Sequence, residues 1–432
     1  MQDKVRVFNH SPYTLCYKGE GLEDYARNEV VFTSDGWVEV PRDFAVNRLA
    51  PNPYLTIDWC EPLQFFPDLL PYPYITLAIP LGRWTGYGTV GERFAHHLLG
   101  KIPLKLSPVG YWNPAAVYSD RVKKEMHATD KEKPTEWALC VTIPPDLPKV
   151  PSPKRVLYTM WETADLPNNE AHGDWAGMIN EWTEAIIVPS VSQVEVYERA
   201  GVTVPIYVVG LGINEEFTYY ERPVRKEGVP FTGLLYGMLT SRKSPIETIN
   251  MFWHGLKDEN WRLILKTRAG QLGGGAFSPI NGVNDERVKV INEDYSPAQM
   301  HDLCKMADVG IMMSKYEGYG LPPREMMATG LPVIWTEFSG HLDECNAAYN
   351  IPIGVTGIGA ADDAYANLGG WAIPNWEMAK MALRGEYEDW VRRGRGQSAM
   401  GRRAGQWIRG RCDWERSSME LLKIMQRVVG GG

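Results

Sequence analysis

None of the six cysteines (Cys16, Cys60, Cys140, Cys304, Cys345, Cys412) stands at CxxC spacing from another. A zinc ribbon is excluded and a disulfide framework disfavoured, which leaves reduced, mostly buried thiols. The eight histidines include the neighbours His96 and His97, yet no HxH or HExxH spacing occurs. No D-x-D pair closes a strand either, so no metal centre is expected. A serine or cysteine hydrolase lacks its nucleophile elbow. No apolar run reaches the roughly 18 residues needed to span a bilayer, and the N-terminus has no basic-then-apolar leader, so a cytoplasmic protein is expected. The net charge of -8 argues against a non-specific nucleic-acid coat.

What is present is a chain of 432 residues, long enough for two or three domains and unusually rich in Trp (16) and Tyr (21). Such rings fill cores, but they also line sugar and base sites. Residues 1–73 are Pro-rich with short β-like runs, Val30 to Phe32 and Trp37 to Val40. They read as a β-rich extension ahead of a standard domain. A buried strand at Tyr74 to Leu81 runs into the Gly-rich segment Gly82 to Gly91, then a helix from Glu92 to Leu99. Strand, Gly-rich turn and helix open a nucleotide-binding α/β unit.

Apolar runs at 137–143, 155–160, 185–189 and 206–210, with helical segments such as Ser192 to Ala200 between them, imply a parallel sheet covered on both faces. Tyr219 to Pro230 reads as a linker. Alternation restarts at 233–236 and continues through 262–266, 288–291, 309–313 and 331–335, broken by a loop at Gly270 to Gly275. The fold expected is α/β, with two Rossmann-like doubly wound domains at 74–220 and 221–395 and the ligand cleft between them. Residues 396–432 form a basic helical segment expected to cross back to the first domain. From Lys380 onward there are twelve Lys/Arg against six Asp/Glu.

The sharpest motif is Glu317-Gly318-Tyr319-Gly320-Leu321-Pro322-Pro323-Arg324-Glu325, followed by Met-Met-Ala-Thr-Gly330-Leu-Pro332-Val333. A strand ends near Ser314, a Gly-containing turn follows, and a short helix starts near Pro322. Amides at that helix start suit an anion or sugar hydroxyls, and glycine permits close approach. Glu317 and Glu325 straddle the turn and can each accept from paired hydroxyls. A second motif, Tyr236-Gly237-Met238-Leu-Thr-Ser-Arg242-Lys243-Ser244, opens the second sheet with two cations. A third runs through Trp161-Glu162, Val188-Pro189-Ser190, Gly201 and Gly212-Ile213-Asn214.

The stretch 317–333 resembles the E-x7-E motif of retaining GT-B glycosyltransferases of family 4, and the resemblance extends over residues 74–416, including Asp413-Trp414-Glu415. It implies that Glu317 contacts hydroxyls of the transferred sugar and Glu325 those of the ribose. The amides around Gly318, Tyr319, Gly320 and Leu321 then approach the sugar and diphosphate. Lys243 falls on the family's diphosphate lysine, while the family arginine position holds Met238. Arg242 is the nearest replacement. Many members have His-Asp where this chain has Trp161-Glu162, which makes Glu162 the candidate carboxylate on that side. Gly86 and Gly88 match the loop facing the donor phosphates. Lys266, Thr267, Asn292 and Glu293, at strand ends, are positioned to touch the nucleotide.

These features imply a retaining glycosyltransferase of hexosyl or pentosyl groups, using a UDP- or GDP-sugar as co-substrate and needing no metal. The acceptor is a glycan, lipid, protein or small molecule. The alternative is a viral-type DNA glycosyltransferase acting on a hydroxylated pyrimidine. There Arg392, Arg393, Arg395, Arg402, Arg403, Arg409 and Arg411 would meet phosphates, and Trp84, Tyr87, Trp112 or Trp161 an extruded base. From other classes come a non-catalytic nucleotide-sugar-binding protein and a nucleotide-sugar epimerase.

Overall fold

The computed structural model describes residues 4–9, 15–18, 29–32, 37–41, 55–58, 74–81, 86–112, 117, 119–128, 135–268, 283–362 and 368–430. The Gly82–Thr85 and Gly270–Gly275 segments and Trp84 lie outside the described residues, as does the side chain of Trp112. The N-terminal region holds five short strands, β1 (Lys4–Asn9), β2 (Leu15–Lys18), β3 (Glu29–Phe32), β4 (Trp37–Pro41) and β5 (Leu55–Asp58). They pair antiparallel as β4-β1-β5 and β2-β3.

The first large sheet is built from β6 (Ile75–Leu81), β7 (Leu104–Trp112), β8 (Trp137–Val141), β9 (Lys154–Tyr158), β12 (Ala185–Val188) and β13 (Ile206–Val208). The two-residue strands β10 (Asn168–Asn169) and β11 (Gly173–Asp174) form a separate hairpin. The large sheet is wholly parallel, in the order β13-β12-β9-β8-β6-β7. Every residue of β6, β8 and β12 is buried. Strands covered by helices on both faces have no polar side to show, hence their unbroken apolar runs.

The second sheet has the order β16-β15-β14-β17-β18-β19, again parallel. Its strands are β14 (Phe231–Tyr236), β15 (Trp261–Thr267), β16 (Val288–Asn292), β17 (Val309–Met312), β18 (Val333–Thr336) and β19 (Ile351–Ile353). Strand order reverses between β14 and β17, so their carboxyl ends diverge into a crevice. The first sheet has its own reversal between β6 and β8.

Helix α1 (Gly86–Leu98) starts earlier than the sequence suggests, so Gly86 and Gly88 lie in its first turn rather than in a loop ahead of it. Gly91 sets how closely α1 packs: a Cβ there would sit 3.0 Å from both Ile79 Cβ and the Pro80 carbonyl. The remaining helices are α2 (Asp120–Ala128), α3 (Trp175–Trp182), α4 (Val191–Arg199), α5 (Pro245–Gly255), α6 (Pro297–Met306), α7 (Leu321–Ala328), α8 (Trp376–Arg392), α9 (Ala399–Arg411) and α10 (Trp414–Val429). A capping box starts α6, with Ser296 Oγ accepting from the Gln299 amide and the Gln299 side chain from that of Ser296. The 219–230 linker is bolted down by buried Arg222, which donates to the carbonyls of Cys304, Ala307 and Thr329.

The last two helices join the domains. Gly401 of α9 lies against the Gly330 carbonyl, and Trp414 at the start of α10 packs edge-on to Phe94 of α1 at 5.5 Å. Glu415 pairs with His97 and Lys101 of the first domain, and the Ile213 amide donates to the Cys412 carbonyl. A hairpin unsignalled in the sequence, β20 (Val355–Ala360) with β21 (Gly370–Pro374), reaches the first domain. There the Trp371 indole donates to the Glu162 carbonyl at 2.8 Å and the Ala164 amide to that of Gly370.

Candidate active site

Glu317, Arg242, Lys243 and Glu162 converge at the carboxyl ends of β14 and β17. Beyond Tyr236, Gly237 adopts φ +136, and the Lys243 side chain folds back across it, with Cε 3.4 Å from where a Cβ would stand. The Lys243 ammonium thereby reaches Glu317 Oε1 and lies 3.8 Å from Met312 Sδ. Arg242 Nη1 is 2.8 Å from the same Glu317 oxygen and 2.6 Å from the Tyr316 carbonyl. Its Nη2 is 2.8 Å from Glu162 Oε1 on the first domain. Met238, at the position where the resembling family has arginine, is 39% exposed. The guanidinium beside Glu317 is that of Arg242, four residues further along the chain.

The ion pairs decide the charge states. Burial drives the Glu317 carboxyl up, but Arg242 and Lys243 outweigh it and hold the group well below the usual carboxylate range. Burial lowers Lys243, and Glu317 opposes that shift. The Glu317 backbone is gripped as well. Its amide donates to Ser339 Oγ at 2.9 Å, and its carbonyl accepts from Gly340 N at 3.0 Å. A Cβ on Gly340 would meet the Gly318 carbonyl at 2.6 Å, so only glycine permits this approach. His341 Nδ1 donates to the Thr336 carbonyl at 3.0 Å, and burial lowers the ring to about 3. The imidazole is thus neutral, with Nε2 buried beside Gly320 and without a protein partner.

Glu325 sits one turn inside α7, on the other side of the β14 end. Its Oε2 accepts from Tyr236 Oη at 2.8 Å. Burial pushes its carboxyl up to about 7, only partly offset by that hydrogen bond. Gly320, at φ +91, is the N-cap of α7, which begins at Leu321. Gly318 faces the first domain: a Cβ there would lie 2.9 Å from Met160 Cβ, and the Gly318 carbonyl accepts from Ser190 Oγ at 3.0 Å.

Other sequence candidates divide. Tyr319 turns its hydroxyl away, to the Leu211 carbonyl at 2.9 Å and Cys412 Sγ at 3.3 Å, so only its backbone belongs to the turn. Lys266 donates to the carbonyls of Thr267 and Glu293 and lies over the Tyr295 ring at 4.7 Å. It braces the β15 and β16 ends, where Thr267 is buried and Asn292 Oδ1 has no protein partner. Ser190 and Gly212 are seam residues between the domains. Trp161 is core: its indole donates to Thr163 and to the Asp165 carbonyl, and its ring packs on Trp175. The Tyr87 hydroxyl is held by the Met160 backbone.

The arginines of the C-terminal segment are engaged internally. Arg393 pairs with Glu386 and Asp389, Arg392 with Asp389, Arg402 with Glu221 and Arg395 with Glu227. Arg403 donates to the Ala348 carbonyl, and Arg409 and Arg411 lie over Tyr219 and Trp407. Among the described residues no group of three or more His, Cys, Asp or Glu is arranged to hold a metal ion.

Sequence reasoning missed the Ser339–His341 loop, the Tyr236 partner of Glu325 and the hairpin, whose Asp362 accepts from Ser241 beside the two cations. Only the Ser-Gly pair after β18 carried a local signal for any of them.

Residues 283–378, which include Glu317 and Glu325, match the family model described as Glycosyl transferases group 1. No curated protein matches the chain. Among solved structures, the sucrose-phosphate synthase of Thermosynechococcus elongatus superposes with a TM-score of 0.58 at 15% identity, covering 83% of this chain and 100% of that one. HepE of Anabaena, in complex with UDP-glucose, gives 0.57 at 12% identity over 82% and 99%. A glycosyltransferase of Rickettsia africae gives 0.57 at 13% over 83% and 99%. The fold is GT-B, and the matched domain supports a glycosyltransferase.

Proposed function

We propose that the protein is a retaining glycosyltransferase that moves a hexosyl or pentosyl group from a nucleoside-diphosphate sugar to a hydroxyl acceptor, without a metal ion. The observation that carries this reading is the Glu317 carboxylate held by Arg242 and Lys243 at the strand reversal of the second sheet, facing Glu162 across the cleft. HepE, with the same fold, is described in complex with UDP-glucose, so a UDP-sugar is the first donor to try.

In this reading the bond from the anomeric carbon to the diphosphate oxygen breaks as the acceptor oxygen bonds to the same face of that carbon. The acceptor proton passes to the departing diphosphate. Lys243 and Arg242 stabilise the charge that grows on that leaving group. Glu317 orients sugar hydroxyls, and Glu325 takes the ribose diol. Two cations at the diphosphate make a metal unnecessary. Released nucleoside diphosphate, assayed over a panel of nucleotide sugars, tests the proposal. Replacing Glu317 or Lys243 by Ala should each lower turnover by at least about a hundredfold. Unchanged turnover in both variants rejects it.

A further inference from the structure

Arg324 is one of the largest fully buried side chains of the described residues, and it lies directly behind the turn that carries Glu317. Its Nη1 donates to the carbonyls of Tyr319 and Gly320, the latter at 2.9 Å, and its Nη2 donates to the Gly340 carbonyl at 2.8 Å. Glu344 supplies the counter-charge, and the Tyr319 ring lies 3.7 Å below the guanidinium. Burial works against the charge, but Glu344 outweighs it and keeps the group ionised. A buried ion pair is seldom a gain in stability over apolar packing of the same volume. Here its hydrogen bonds go to the carbonyls of the two loops that hold Glu317.

Peptide planarity gives this grip a consequence. In a trans peptide the carbonyl and the following N–H point in opposite directions. Drawing the carbonyls of Tyr319 and Gly320 onto a buried guanidinium therefore turns the amides of Gly320 and Leu321 the other way, at the start of α7. We infer that Arg324, anchored by Glu344, is a positioning residue that aims these two amides at the diphosphate of the donor. The inference rests on the glycosyltransferase reading above. The base and ribose contacts lie elsewhere, at Glu325 and the β15 and β16 ends, so Arg324 acts on diphosphate affinity and not on nucleoside affinity.

The test is calorimetric titration of the unaltered protein, Arg324→Lys and Glu344→Gln with UDP and with uridine, with the GDP and ADP pairs run in parallel. Lysine keeps a charge beside Glu344 but cannot fork to three carbonyls. The Glu344→Gln variant removes the carboxylate that anchors the fork while keeping Arg324, and it carries the test if Arg324→Lys does not fold. The expected result is a loss of about tenfold or more in affinity for the diphosphate, with nucleoside affinity unchanged. Equal weakening of both ligands makes Arg324 a fold support only and overturns the inference. So does full-strength diphosphate binding by the variants. If the unaltered protein binds no nucleoside diphosphate, the glycosyltransferase reading itself fails and takes this inference with it.

Discussion

Ser244 follows the two cations and combines two unfavourable features. It holds a left-handed backbone (φ 52, ψ 47) that favours glycine, and its hydroxyl is buried without a protein partner. Glycine relieves both, so Ser244→Gly should stabilise the fold by about 1 kcal/mol, read from the urea midpoint at constant m-value. Glu325 makes a prediction about pH. Its folded carboxyl titrates at about 7 against an ordinary 4.5, so the folded state keeps a proton that the unfolded chain releases. The contribution of Glu325 to stability therefore falls as pH rises from about 4.5 to about 7. Glu386, pushed to about 7 by burial and partly offset by Arg393, has the same sign. His341, lowered to about 3 by burial, has the opposite sign below its ordinary 6.5. Glu325→Gln should thus make the dependence of thermal stability on pH more positive between about 4.5 and about 7, and an unchanged slope contradicts the assignment. Glu317 and Glu325 stood out as a pair in the sequence, because the glycines and prolines around them mark the turn and the helix start that the structure shows. Arg242 as the second cation was only a candidate, since sequence spacing does not say where a long side chain ends.

At the scale of elements, apolar runs located five strands of each large sheet, because parallel strands buried on two faces leave an unbroken signal, but not β7, which carries Ser107, Pro108 and Gly110, nor the three-residue β19. The hairpin β20–β21 escaped notice. Its strands carry Gly357, Gly359 and Gly370 and sit half exposed, so neither apolar periodicity nor length marks them. The start of α1 was placed too late because glycines in a first turn look like a loop. Gly212 shows how one residue can fix the meeting of two elements: a Cβ there would collide with the backbone and ring of Trp414. Gly212→Ala should destabilise the protein by about 1–3 kcal/mol, measured by denaturant unfolding, and expose α10 to proteolysis. A neutral substitution would show that α10 docks differently.

Across the whole molecule, the chain runs through one sheet, then the other, and returns by α10 to the first, so the cleft is bounded by a continuous covalent loop. The basic C-terminal segment serves that return: its arginines face Glu221, Glu227, Glu386, Asp389, backbone carbonyls and aromatic rings. Its charge in the sequence suggested phosphate contacts, because a count of residues does not reveal partners supplied by distant parts of the chain. Duplex DNA should accordingly bind weakly and without a steep dependence on salt, as fluorescence anisotropy would show, whereas a steep dependence would revive DNA as acceptor. The central claim is that Glu317, Arg242 and Lys243 form a donor site. Its most direct measurement is nucleoside diphosphate released from a panel of nucleotide sugars by the unaltered protein and by Glu317→Ala. Release from at least one sugar, UDP-linked first, and its loss in the variant is the predicted result; release that persists undiminished in Glu317→Ala, or no release from any donor, would contradict it.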